Sequence, residues 1–250
     1  GGNIVVDNTG DLKTTGAIIT AANGNISLKA AGSETIGAAV TAGGSGNVTL
    51  QADGADSNIA INADVSSTSG QITAQAGKNI GIGAAVDTTG NVALTAGGSI
   101  AETDPGKITN AALLSTISQT GQTLNGLNSV KSLAATNSRT GNIELTNTRD
   151  TLAIKSISQA NGNVSVTNTG AIITEASGTV KTTNGLISLT ATGGDQTING
   201  TVATGGTGTL SLTATGADSD VAVNGAVTSA GGAITLAADQ DVLINAKVDG

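Results

Sequence analysis

The sequence predicts an all-β chain wound into a parallel β-helix, a β-solenoid of about eleven coils of about 23 residues. Three observations predict it. A short glycine-led phrase recurs along the whole chain. Within each phrase apolar and polar residues alternate with period two. The interior has only Ala, Val, Ile and Leu to draw on, because Phe, Trp, Tyr, Met, Cys and His are all absent.

The phrase is Gly, a small polar residue, then an aliphatic alternation. It reads Gly24-Asn25-Ile26-Ser27-Leu28-Lys29-Ala30, Gly46-Asn47-Val48-Thr49-Leu50-Gln51-Ala52 and Gly70-Gln71-Ile72-Thr73-Ala74-Gln75-Ala76 in the first half. Later copies open at Gly141, Gly162, Gly185, Gly208 and Gly232. From Gly2 onward the spacings between these glycines, including Gly90, are 22, 22, 24, 20, 51, 21, 23, 23 and 24 residues. The gap of 51 reads as two units, the second opening near Leu113-Leu114 and carrying an extra loop around Gln119 to Asn128.

A second apolar element follows in each unit, as in Ile59-Ala60-Ile61 with Val65 and Ile80-Gly81-Ile82 with Val86, so a unit holds two or three short strands. The period of two, the Val, Ile and Thr content and the interrupting glycines argue against helix. Alternation sends Ile187, Leu189 and Ala191 to one face and Ser188, Thr190 and Thr192 to the other, and the aliphatic face points inward. Coils stacked at ~4.8 Å would give a rod of about 53 Å. A core without aromatics would leave voids costing roughly 24 cal/mol per Å³ in a broad domain, whereas a narrow stacked interior is filled by small side chains.

A longer period lies above the coil. Gly2-Asn3-Ile4 through Gly10 matches Gly162-Asn163-Val164 through Gly170, and Gly54-Ala55-Asp56-Ser57 returns as Gly216-Ala217-Asp218-Ser219. Residues 1–250 are therefore expected to form a single continuous solenoid, with residues 1–160 a first copy of a higher repeat and 161–250 a partial second copy. Because the chain begins at Gly1 rather than Met, it is expected to be processed or to belong to something longer. Added coils supply length, which suits a structural rod better than an enzyme.

Composition removes whole classes of chemistry. Without Cys or His there is no disulfide, thiolate or imidazole metal site and no Ser-His-Asp triad. Ten Lys plus Arg against eighteen Asp plus Glu give a net charge of −8, which repels phosphate, and no aromatic ring exists to stack on a base, so nucleic acid is not an expected partner. No apolar run approaches the ~20 residues of a membrane helix, and no basic start followed by an apolar stretch marks a signal peptide. No cofactor is expected.

The Gly-Asn-Ile/Val-x-Leu-x-Ala coils resemble the repeat region of filamentous haemagglutinin-like adhesins, which Gram-negative bacteria export by two-partner secretion. The stretch Leu124-Asn125-Gly126-Leu127-Asn128-Ser129-Val130-Lys131-Ser132-Leu133-Ala134-Ala135, followed by Thr140-Gly141-Asn142-Ile143-Glu144-Leu145, is similar to one that recurs in those proteins. The likeness covers essentially the whole chain. It implies a right-handed β-helix displayed or shed outside the cell. The absence of aromatics suits a shaft better than a receptor-binding tip.

Few candidate sites stand out. Asn25, Asn47, Asn163 and Asn199 lie in Asn-x-Ser/Thr sequons and are candidate glycosylation acceptors, although turn chemistry alone also selects Asn there. Asp53 with Asp56, and Asp218 with Asp220, suggest calcium, but neither pair completes a known loop and solvated turns explain them. Thr146/Thr148, Thr167/Thr169, Thr190/Thr192 and Thr213/Thr215 form an outward ladder of the kind ice-binding solenoids carry, which β-propensity also explains. Asn147 and Asn168 fall at inward positions on adjacent coils and are expected to form a short amide ladder. The four glutamates, Glu34, Glu102, Glu144 and Glu175, are scattered over different coils, so no carboxylate pair for polysaccharide cleavage is expected and the chain reads as a non-enzyme.

The expected function is mechanical: the shaft of an extracellular bacterial adhesin or surface fibre, serving attachment or biofilm formation at the cell surface. Its partners would be further repeats of the same chain or other copies of itself, and a host or bacterial surface reached through regions outside this sequence. The alternative is a self-assembling extracellular filament of stacked solenoid subunits.

Overall fold

The computed structural model describes residues 2–250. It contains strands and turns and, among the described residues, no helix. Parallel strands stack coil upon coil as a β-solenoid of about eleven turns, about 22 residues apart. The chain divides into two compact units, one of residues up to Gln119 together with Gly126–Ser129, the other of Thr120–Asn125 and Val130–Gly250.

The first unit has five three-stranded turns, and the second turn is representative: Ile26–Ala30, Glu34–Ile36 and Val40–Ala42. The glycine-led phrase forms the long strand. Each residue pairs with its equivalent one turn away, so Ile26 meets Val48, Leu28 meets Leu50 and Ala30 meets Ala52, and the register continues through Ile72 and Val92. In these strands the aliphatic positions are buried and the intervening Ser, Thr, Lys and Gln face out, as alternation requires. Parallel pairing satisfies the backbone, and the side-chain columns fill the interior.

The repeating glycine has a steric cause. A Cβ at Gly46 would overlap the carbonyl oxygen of Gly24, one at Gly70 that of Gly46, and one at Gly232 that of Gly208. Only glycine lets successive corners stack this closely. A buried hydroxyl at the end of the third strand serves the same corner. Ser67 Oγ donates to the Gly46 carbonyl at 2.6 Å and accepts from Gly70 N at 2.9 Å. Thr88 repeats both bonds with the Gly70 carbonyl and Gly90 N, and Ser229 does so with Gly208 and Gly232.

In the second unit the phrase strands Ile143–Asn147, Val164–Asn168, Ile187–Ala191, Leu210–Ala214 and Ile234–Ala238 stack in register. The change of cross-section happens here. Ser132–Asn137 pairs along a single nine-residue strand, Thr151–Gln159, with a register shift between Leu133 and Ala134 that leaves Lys155 unpaired in the ladder. The next turn continues the first half of that strand as Ala171–Thr174 and its second half as Thr179–Thr182. One face thereby becomes two.

The extra loop expected around Gln119 to Asn128 is instead largely a strand, Gln122–Asn128, with Gln122, Leu124 and Asn128 buried. Its Asn-Gly step reads as a turn in sequence. In the fold the Gly126 N–H donates to a half-buried carboxylate, Glu102 Oε2, at 2.8 Å, which holds the segment extended.

Candidate functional site

The chemistry-bearing side chains sort into corner ladders, a hydroxyl face and buried polar groups. At one corner of the first unit Asn25 N donates to Asn3 Oδ1, Asn47 N to Asn25 Oδ1 and Gln71 N to Asn47 Oδ1, at 2.8 to 2.9 Å. Another corner runs Asp11, Ser33, Asn58 and Asn79, each side-chain oxygen accepting from the backbone N–H one turn on, and ends at Ser99, whose N and Oγ both donate to Asn79 Oδ1. In the second unit Asn163 Oδ1 accepts from Leu186 N at 2.9 Å, and Asn199 Oδ1 accepts from Asn224 Nδ2 at 3.1 Å. The structure thus places all four sequon asparagines in hydrogen-bonded corner ladders, with Asn25, Asn47 and Asn163 exposed and Asn199 half-buried.

The aspartate pairs are dispersed among other partners. Asp53 meets Lys29 Nζ at 3.0 Å and Gln51 Nε2 at 2.6 Å, and the hydrogen bond from Lys29 is the main reason its carboxyl lies below the usual range. Asp56 pairs with Lys78 at 3.6 Å. Asp220 Oδ1 accepts from Asp241 N, while Asp220 N donates to Asp195 Oδ1. Among the described residues no group of three or more Asp or Glu side chains is placed to hold a metal ion.

The hydroxyl face lies on the phrase strands of the second unit. Thr146, Thr167, Thr190 and Thr213 stand one above another, beside the rank Ser165, Ser188 and Ser211. The same position of the phrase in the first unit holds Lys29, Gln51 and Gln75.

Asn147 and Asn168 form the expected amide ladder, with Asn147 Nδ2 donating to Asn168 Oδ1 at 3.0 Å. Their larger role lies with the backbone. Asn147 accepts from Val130 N at 2.8 Å and donates to Val130 O at 3.1 Å. Asn168 accepts from Arg149 N at 3.1 Å and donates to Arg149 O at 2.9 Å. A carboxamide carries the same donor and acceptor as a peptide group, so each Asn does for a corner residue what a third strand does in the regular turns. Further up the same column Ala191 and Ala214 occupy the position.

The four glutamates do not converge, and two of them are interior groups that sequence reasoning missed. Glu34 is fully buried in a column with Leu12 and Ile59, and neither carboxyl oxygen has a hydrogen-bond partner. Burial is what pushes its carboxyl up to about 8. The signal was alignment: Glu34-Thr35-Ile36 sits where the neighbouring turn has Ile59-Ala60-Ile61. Glu102 takes the interior place of Ile82 one turn on. It too is raised by burial, against hydrogen bonds from Asn128 Nδ2 and Gly126 N, which both reach Oε2. Glu144 accepts from Asn125 and Asn142, and Glu175 pairs with Lys155 at 2.6 Å.

Comparison with protein-family models, with curated proteins and with solved structures finds no match for this chain.

Proposed function

We propose that this chain is the structural shaft of an extracellular bacterial adhesin or surface fibre of the filamentous haemagglutinin-like kind, serving attachment or the building of a biofilm matrix. The observation that supports this most is register. Within each unit, turn after turn, equivalent residues pair across parallel strands and corner side chains repeat the same bond to the turn above. Such ladders resist extension because many hydrogen bonds along the stacking direction share a load. The outward Ser, Thr and Asn surface with a net charge of −8 keeps such a shaft solvated. Binding specificity would belong to regions outside this sequence, and glycans at Asn25, Asn47, Asn163 or Asn199 would decorate the surface.

Electron cryo-microscopy of native particles containing this chain tests the reading. Finite rods with coils ~4.8 Å apart, anchored to a cell and ending in a distinct domain, are the expected result. Uniform filaments of end-to-end subunits without a tip would replace it with a self-assembling fibre. Dispersed particles unattached to any cell or matrix would overturn both. Glycopeptide mass spectrometry of the same material reads the four sequons.

A further inference from the structure

The chain contains six Asn-Gly steps, at Asn23, Asn125, Asn161, Asn184, Asn199 and Asn224. An Asn-Gly step can cyclise when the glycine nitrogen reaches the asparagine Cγ, because glycine has no Cβ in the way. A nitrogen already donating a hydrogen bond, or a carboxamide held by one, must first give that bond up.

Five of the six steps are held at the nitrogen. Gly24 N donates to Ala21 O at 3.1 Å, Gly162 N to Asn184 O at 3.3 Å and Gly225 N to Ile198 O at 2.8 Å. Gly126 N donates to Glu102 Oε2, and Gly200 N donates to Thr174 Oγ1 at 3.0 Å. The same five are held at the carboxamide. Asn23 Oδ1 accepts from Ser45 N and Oγ, Asn125 Nδ2 donates to Glu144 and Asn161 Nδ2 donates to Arg139 O. Asn199 and Asn224 bond to each other.

Asn184 differs on both counts. Among the described residues neither its carboxamide nor the Gly185 N–H has a hydrogen-bond partner, and the side chain is exposed at a corner of the second unit, its Oδ1 beside Gly206.

We propose that Asn184-Gly185 is the site of a spontaneous main-chain modification, deamidation through a cyclic imide, which the fold suppresses at the other five steps. The Gly185 nitrogen attacks Asn184 Cγ, a C–N bond forms, the Cγ–Nδ2 bond breaks, and ammonia leaves with the proton that the Gly185 nitrogen gives up. Water then opens either imide carbonyl and leaves aspartate or isoaspartate at 184. The product places a carboxylate where a neutral amide stood and, as isoaspartate, lengthens the main chain at a corner where Asn184 O accepts from Gly162 N.

The test is a time course of the folded chain at pH 8 and 37 °C, read by peptide mapping that resolves all six sites. Conversion at Asn184 at least about tenfold faster than at any of the others is expected, equivalent to about 1.4 kcal/mol of barrier, with the six rates converging in concentrated urea. The N184S substitution should remove the early product. An earlier conversion at any other site, a lead that survives in urea, or an early product that persists in N184S would each overturn the proposal.

Discussion

The turns from Ile26 to Ile82 in the first unit and the segment from Val130 to Asn168 in the second solve the same packing problem with different side chains. In the former the last inward residue of each phrase strand is alanine, as at Ala30, Ala52 and Ala76, and a third strand closes the turn. In the latter the last inward residue is an amide, Asn137, Asn147, Gln159 or Asn168, and it bonds to a corner backbone. A solenoid interior therefore accepts polar groups where turn geometry leaves peptide groups to satisfy. Glu34 breaks that rule, being a polar group in an aliphatic column with nothing to bond.

The largest expected effect tests that exception. With a folded value of about 8 against an ordinary 4.5, Glu34 keeps its proton in the folded state over a range where the unfolded chain has lost it. Its contribution is fully present below about pH 4.5 and is lost as pH rises through about 8. The slope is about 1.4 kcal/mol per pH unit and the total on the order of 5 kcal/mol. Replacing it, Glu34→Leu, restores the column of Leu12 and Ile59 and should flatten the fall. Denaturant unfolding of both proteins from pH 5 to pH 9 checks this, and parallel curves would show that Glu34 does not remain neutral inside.

Next comes the amide that substitutes for a strand. Removing it, Asn147→Ala, leaves the buried Val130 N–H and C=O and the Asn168 carboxamide each short of a partner, at about 1–3 kcal/mol apiece and roughly 4 kcal/mol together. Asn147→Gln should not rescue, since its amide sits one methylene too far out. In the aliphatic turns the comparable swap Leu28→Met should cost under about 1.5 kcal/mol. Hydrogen exchange at Val130 and Arg149 is the direct readout: faster exchange confined to Val130 and its neighbours is expected, and unchanged protection there would mean the backbone has other partners.

Much of this was legible in the sequence because period-two alternation and the glycine corner are local. The strands, the register of Ile26 with Val48 and the amide pair Asn147 and Asn168 all follow from spacing alone. Two features were hidden because their cause lies one turn away. Gln122–Asn128 carries an Asn-Gly step that looks like a turn, and only the Glu102 carboxylate in the adjacent turn shows why it stays extended. Glu34 looks like an ordinary surface charge until Glu34-Thr35-Ile36 is set in register with Ile59-Ala60-Ile61. Of the surface candidates, the ladder geometry of Asn25, Asn47, Asn163 and Asn199 could be anticipated from turn chemistry, whereas the lysine partners of Asp53 and Asp56 depend on which turns stack.

A smaller effect is expected at the glycine corner, which both units share. Ser67→Ala removes one donor to Gly46 O and one acceptor for Gly70 N, costing about 2 kcal/mol. Ser67→Thr should be close to neutral because Thr88 fills the equivalent seat with the same two bonds. If alanine proved as stable as serine in thermal unfolding, the buried hydroxyls would be packing groups only.

The smallest effect is predicted where the two regions differ most visibly, on their outer ranks. Lys29 and Asp53 form an ion pair at 3.0 Å, but their side chains are 40% and 41% exposed, so water and salt screen the attraction and ordering two mobile side chains offsets much of it. Their neighbours in the same rank, Gln51 and Gln75, carry no charge and hold the same register. Lys29→Gln should therefore leave the melting temperature unchanged within error, at low salt and in 0.5 M NaCl alike. A clear loss confined to low salt would make this pair a structural clamp, and would mean that charge on the outer rank of the first unit contributes to holding successive turns together.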